Sequence, residues 1–252
     1  MVLANKLVSR QASEFNHLYD LMIVGAGISG SEAALACAAS GLDVLLVTTS
    51  LDTAYTLLGE GAYLTPKAGT FMAEVFSDLA KETGFVGNWA MHRAAKQKIE
   101  TMPNLHFLQS SVSALRLEED RVVGVETWEG VPRFAKRIAL CVGSFLEARL
   151  HIGTLSEVAG RLSEMAYDDL YLNLETLGFV FEDLSLEAKF TDDSLPYTVD
   201  CKVFAPSELE QFRLKRFKHL YAAGVCASAY LSFEAAAEQG QDLASVLIKS
   251  LS

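Results

Sequence analysis

No stretch of this sequence stays apolar long enough to cross a membrane. The best candidate, around Ile23, is broken by Gly25, Gly27 and Ser29, short of the roughly 20 apolar residues that a spanning helix needs. The first eighteen residues, MVLANKLVSRQASEFNHL, lack the unbroken apolar core of a secretory signal. They read as an extension ahead of the fold, and a cytoplasmic location with no membrane partner is the expectation. Positive charge is scarce: 21 Lys and Arg face 32 Asp and Glu, for a formal net charge of −11. Such a surface repels phosphates, which argues against a free-standing RNA binder. Two local basic clusters run against the average: His92, Arg93, Lys96 and Lys98, and then Arg213, Lys215, Arg216, Lys218 and His219. Both are read as solvated helix faces. Cysteine is sparse too. Cys37, Cys141, Cys201 and Cys226 form no CxxC and no metal-ligand spacing, so they are expected as free thiols with no structural metal. Cys37, in a small-residue helix, and Cys141, in an apolar strand, suit core positions.

Half of the 252 residues are hydrophobic, enough for one large α/β domain or one domain with a small insert. The organising stretch is Tyr19 to Thr49. An apolar strand (Leu21 to Val24) runs into Gly25-Ala26-Gly27-Ile28-Ser29-Gly30, an Ala-rich helix follows over 31–39, Gly41 stops it, and a second apolar strand covers Val44 to Val47. In this setting each glycine of GxGxxG has a physical task. Gly25 permits the turn, Gly27 lets a pyrophosphate approach the backbone, and Gly30 lets the helix pack on the strand. The helix start offers N–H groups and positive dipole to phosphates. One feature is missing. Thr48-Thr49-Ser50 stands where an acidic residue usually ends the second strand and binds a ribose hydroxyl, so a simple NAD dehydrogenase fits poorly.

Residues 57–69 have the glycine density of a loop near a ligand. Helical spacing follows over 69–83, with Phe71, Val75 and Leu79 as the core-facing stripe, and over 88–102. A strand is expected at Leu105 to Gln109. Val112 to Glu118, Arg121 to Thr127 and Phe134 to Val142 read as an antiparallel meander leading back to a buried strand. A meander in place of a crossover helix is characteristic of glutathione-reductase-type FAD domains. The fold class is therefore α/β: an FAD/NAD(P)-binding, doubly wound, Rossmann-like parallel sheet with a β-meander crossover. Val142, Gly143 and Ser144 lie at the carboxyl end of that strand, where ligands bind. A helix is expected over 163–177, with Leu170, Leu174 and Leu177 buried. A reduced insert is expected at about 180–210, within a single domain of residues 19–252. Near the end, a strand (Leu220 to Ala223) meets Gly224 and Val225, and a helix starts near Phe233, Glu234 and Ala235. Its N-terminus suits negative charge developing on a reduced flavin.

Together these blocks resemble one family, the flavoproteins of tRNA wobble-uridine carboxymethylaminomethyl modification, also called glucose-inhibited division protein A. The resemblance rests on GAGISGSEAALACAASG with LLVTTSLDT, on Pro103-Asn104-Leu105 through DRVVGVETWEG to ALCVGSFLEARLHIG and AGR, on PYTVDCKVFAPSEL, and on FEAAAEQG. The family also carries Thr at the end of the second strand. The resemblance implies FAD as cofactor and NAD(P)H as a candidate electron donor. It implies Gly25, Gly27 and Gly30 at the pyrophosphate, with Ala26, Ile28 and Ser29 between them also binding the cofactor, Thr48 or Thr49 at the ribose, and the Val112 backbone at the adenine. Val142, Gly143 and Ser144 would lie near the cofactor, and Gly224, Val225, Phe233, Glu234 and Ala235 near the pyrophosphate and flavin.

Three departures stand against it. The loop LLGEGAYLTP carries no cysteine where the family has a Cys-Asn-Pro-Ala-type element. FVFEDLSLEAKF replaces a Lys-Thr-Gly-Thr-Pro-Pro-Arg element, and the C-terminal tRNA-binding helical domain has no counterpart. Cys201 stands at a family Tyr, so no nucleophile emerges, and Glu60 and Tyr63 are only weak candidates near the flavin. The leading expectation is an FAD-binding oxidoreductase with an unnamed small-molecule redox partner. tRNA modification with partner chains, and a non-catalytic flavin module, are the alternatives, and an oligomer is compatible with each.

Overall fold

The computed structural model describes residues 17–80, 83–191, 193–228 and 230–251. The first sixteen residues of the expected extension lie outside the described residues, and so do residues 81 and 82 of the expected 69–83 helix. In chain order the first strand is β1 (Leu18–Val24), so it already takes in the end of that extension. Helix α1 (Ile28–Ala39) and β2 (Val44–Thr48) follow. A short hairpin, β3 (Gly61–Tyr63) and β4 (Phe85–Gly87), flanks α2 (Phe71–Leu79), and α3 (Asn88–Thr101) leads into β5 (Leu105–Gln109). The meander is β6 (Val112–Glu118), β7 (Arg121–Thr127) and β8 (Pro132–Leu140). The main sheet runs β5-β2-β1-β8, all parallel, with β17 (Leu220–Ala222) parallel to β8 on the far side. Two short antiparallel strands, β15 (Leu209–Glu210) and β16 (Arg213–Leu214), extend that edge.

Alternation along the parallel strands sends side chains to two cores. Leu21, Ile23, Val44 and Leu46 face α1, α2, α3 and the last helix, α5 (Phe233–Leu251). Met22, Val24, Leu45 and Val47 face the meander and α4 (Asp169–Thr176). β7 pairs antiparallel with both β6 and the first half of β8, whose second half continues as a parallel strand beside β1. The chain thus crosses from β5 to β8 without a helix. The strand order reverses between β1 and β8, and the carboxyl ends of strands at such a reversal form a crevice.

A second, four-stranded antiparallel sheet joins β10 (Leu155–Glu157), β9 (Arg149–Ile152), β14 (Tyr197–Phe204) and β13 (Phe181–Ala188), in that order. Residues 197–200 of β14 pair with residues 149–152 of β9, and this sheet has a small core of its own around Leu150, Tyr197 and Val199.

Three local expectations change. Helix over 163–177 shrinks to α4, because β11 (Ala159–Arg161) and β12 (Glu164–Met165) form a hairpin turning at Ser163, whose φ is +63°. Leu170 and Leu174 are buried as expected, while Leu177 is half-buried. Leu79, at the last position of α2, is 42 % exposed, so the stripe reduces to Phe71 and Val75. The second basic cluster lies on short strands and turns, not on a helix, and in the first His92 is buried, with Nδ1 2.7 Å from the Ala54 carbonyl.

Candidate functional site

Three strand ends converge at the crevice. At the end of β1, Gly25 has φ +106°, and a Cβ there would lie 2.2 Å from the Cys141 carbonyl oxygen. A side chain at Gly30 would lie 2.0 Å from the Gly25 carbonyl, so this glycine brings α1 down onto the turn. Gly27 is different. A Cβ there meets nothing within 4 Å, so the backbone is open toward the crevice. Gly27 caps α1 without a side-chain bond, and no acidic residue occupies the first turn. The helix start keeps its positive end for an outside anion.

The end of β8 lies beside this turn. Gly143 has φ +60°, and the Ser144 hydroxyl donates to the Gly160 carbonyl at 2.7 Å, tying this loop to β11. The third end is Gly224, φ +80°, where a Cβ would approach Ser29 Oγ to 3.6 Å. Its N–H donates to Gln239 Oε1 on α5 at 2.5 Å, and Gln239 Nε2 donates to Ser228 Oγ at 2.9 Å. Helix α5 crosses α1 closely because Gly240 has no side chain; a Cβ would fall 2.5 Å from the Ser29 carbonyl. Ser29 Oγ donates to the Ala236 carbonyl across the same crossing. Both helix starts are thereby fixed at one cavity.

Among the residues expected at a cofactor, Gly25, Ala26, Gly27, Ile28, Ser29, Thr48, Thr49, Val112, Val142, Gly143, Ser144, Gly224, Val225 and Phe233 line this cavity. Gly30, Glu234 and Ala235 do not. Gly30 is buried against the turn. Glu234 turns away and accepts from the Thr65 N–H at 3.0 Å. Burial alone would raise its pKa, but hydrogen bonds from Thr65, from its own backbone and from Ser232 outweigh this and lower it. The start of α5 is not fully open, since Ser232 Oγ accepts from the Ala235 N–H. Thr48 Oγ1 donates to the Ser50 carbonyl at 3.2 Å, which leaves exposed Thr49 the freer hydroxyl. Glu60 and Tyr63 are absent from the lining, and Tyr63 is 77 % exposed against Phe85.

The lining also includes residues that sequence reasoning passed over. Thr53 and Thr56 follow β2, Ser110 and Ser111 lead into β6, and Arg161, Glu164 and Tyr167 come from the β11–β12 hairpin and the turn after it. Leu186, Ala188, Tyr197 and Val199 come from the second sheet. Thr53, Arg161, Tyr197 and Val199 fall within segments that carry the resemblance, but none was singled out as a site residue. Arg161 spans the cavity: its guanidinium donates to the Thr56 and Leu57 carbonyls at 3.3 and 3.2 Å and lies 3.5 Å from Glu164. All four cysteines are free and buried. Burial pushes Cys141 well above its ordinary pKa, and Cys37 and Cys226 rise to about 12. Among the described residues no cluster of metal-ligating side chains occurs.

A doubly wound sheet with a meander crossover and a glycine cradle at its switch point is the architecture of nucleotide-cofactor enzymes. The chain belongs to the glucose inhibited division protein A family, whose model matches residues 20–78 and 85–188. It is 33 % identical over 186 residues to the tRNA uridine 5-carboxymethylaminomethyl modification enzyme MnmG of Chlamydia trachomatis serovar A. That match covers 64 % of this chain and 30 % of the relative, so the chain matches under a third of the relative's length. The crystal structure of the GidA-related protein from Thermus thermophilus superposes with a TM-score of 0.84 at 37 % identity, covering 93 % of this chain and all of that one. GidA from Aquifex aeolicus has the same fold, with a TM-score of 0.80 at 15 % identity over 93 % of this chain and 63 % of its own. Among the described residues no helix is long and apolar enough to cross a membrane.

Proposed function

We propose that the chain is an FAD-binding flavoprotein with oxidoreductase chemistry, folded as one cofactor-binding domain over residues 19–252 with a reduced insert at about residues 180–210, which supplies β13 and β14. One observation carries this reading: three glycine-bearing strand ends and the starts of two helices meet at a single cavity. The residues fit an extended dinucleotide. Gly27, with open space where a Cβ would stand, and the first turn of α1 hold the pyrophosphate. Thr49, with Thr48, holds the ribose, and the Val112 backbone holds the adenine. Gly143, Gly224 and the first turn of α5 hold the flavin half. Bound FAD supplies hydride acceptance at its N5 position, and NAD(P)H is the proposed donor. The protein's part is to bind, to orient and to exclude water, since no general acid or base is assigned.

The test is an absorption spectrum of the purified protein, taken after reconstitution with FAD and followed anaerobically on adding NADH or NADPH. Flavin bands that bleach within the mixing time support the whole reading. Bands that persist with NAD(P)H but yield to dithionite point instead to a binding module. No bands after reconstitution would overturn the cofactor assignment.

A second reading is favoured by the relatives' names: a part in tRNA uridine modification, with further chains supplying the tRNA surface. Loop 57–66 holds no cysteine, so the chemistry would fall to a partner or to a different group. Unchanged wobble uridine after incubation of the FAD-reconstituted chain with tRNA and the chains that co-purify with it would count against it.

A further inference from the structure

The wall of the cavity made by the second sheet is unlike the glycine cradle. Leu186, Ala188 and Val199 line it, with the Phe145 ring. Its buried polar group is Tyr197, which is 5 % exposed. No hydrogen bond ties the Tyr197 hydroxyl to any described residue, yet it is not among the fully enclosed polar atoms without a partner. It therefore opens to the cavity. A hydroxyl that opens to a cavity with no partner among the described residues is free to pair with an atom brought by a ligand.

The ligand's chemistry follows from what faces it. Burial raises the Tyr197 pKa, with the Arg161 charge opposing and the Glu164 charge adding, so the group is a neutral donor at physiological pH. Arg161, also in the lining, offers only donors, while Glu164 is held by it. Exposed Glu187 also lines the cavity, between Leu186 and Ala188 on β13. The incoming atom at Tyr197 is then an acceptor, and the Leu186, Ala188, Val199 and Phe145 side chains suit an apolar body.

We propose that this wall is a binding subsite for a small apolar carbonyl compound of the quinone type, whose oxygen accepts a hydrogen bond from Tyr197. It rests on the reading of the opposite wall as the cofactor cradle.

Menadione serves as probe, in equilibrium dialysis against the FAD-reconstituted protein, with FAD affinity measured separately. Tyr197→Phe keeps the ring and removes only the hydroxyl. Its expected effect is roughly tenfold weaker menadione binding, as for one lost hydrogen bond, with FAD affinity within about twofold of the parent. Leu186→Trp, which fills the same wall from the neighbouring strand, should abolish menadione binding and spare FAD. The proposal is overturned if the parent protein does not take up menadione, if both variants bind it like the parent, or if FAD affinity falls in parallel. Tyr197-dependent menadione uptake by a protein that fails to retain FAD would support the subsite and reject the cofactor reading.

Discussion

Gly25 and Gly27 stand two residues apart in the same turn and answer to different constraints. At Gly25 both the positive φ and the nearby Cys141 carbonyl exclude a side chain. Gly25→Ala should therefore cost about 3 kcal/mol or more, lowering the melting temperature by roughly 6–12 °C for a chain of this size. At Gly27 the φ is −66° and a Cβ meets open space. Gly27→Ala should cost about 1 kcal/mol or less as a poorer helix cap. On the proposed cofactor reading its FAD affinity should nonetheless fall by about tenfold or more, because the methyl group would occupy the path proposed for the pyrophosphate. Calorimetry and flavin fluorescence titration on the two variants separate the roles, and equal losses of affinity at unchanged stability would contradict this assignment. The spacing GxGxxG made these tasks legible in advance. Gln239 lies within FEAAAEQG, but its role of holding the Gly224 loop was not legible, since the two are brought together only by the fold.

At the scale of elements, Glu32 is the junction. It is fully buried in the middle of α1 and accepts from the Phe71 and Met72 N–H groups at 2.9 and 2.8 Å, which begin α2. The Tyr55 hydroxyl at 2.5 Å and Gln241 Nε2 at 2.6 Å bring in the loop after β2 and helix α5. One carboxylate thus completes the N-terminus of α2 and joins three helices. Glu32→Ala leaves those donors buried and unpaired, and should cost about 3–5 kcal/mol. Urea unfolding should show this as a lower midpoint at unchanged slope. A glutamate in a helix ordinarily reads as solvent-facing, so only the folded chain reveals this role. The elements that were legible are those with local signals: the βαβ opening, the meander with its apolar runs around an acidic turn, and α5. The second sheet escaped because β9 and β14 pair across more than forty intervening residues. The 163–177 segment misled because apolar residues at Leu162, Met165 and Ala166 mimic helical spacing although they build a hairpin and the turn after it.

The whole molecule is acidic outside and holds its thiols neutral inside, and both properties have measurable consequences. Cys37 and Cys226 rise to about 12 and Cys201 to about 11, from an ordinary 9.0, through burial. A folded pKa above the unfolded one means that the folded state retains protons the unfolded chain releases. The stability from these thiols is complete below about pH 9 and falls as pH rises toward 11–12. Alkaline melting curves should show this decline, and a thiol reagent at pH 8 should label none of the four cysteines until denaturant is added. The outer charge bears on tRNA. The basic clusters that break the acidic average are largely neutralised by the chain's own carboxylates: Lys96 by Asp52, Lys98 by Glu74, Arg213 by Glu210, Arg216 by Glu208 and Lys218 by Asp120. Binding to a phosphate backbone depends on cations free to displace its counterions, and here those pairs would first have to be broken against a net charge of −11. The isolated chain should therefore leave tRNA unshifted in a gel at about 50 mM salt, where phosphate contacts are strongest. A partner that restores binding should make it steeply salt-dependent, and tRNA binding by the isolated chain alone would overturn the assignment of that surface to another protein.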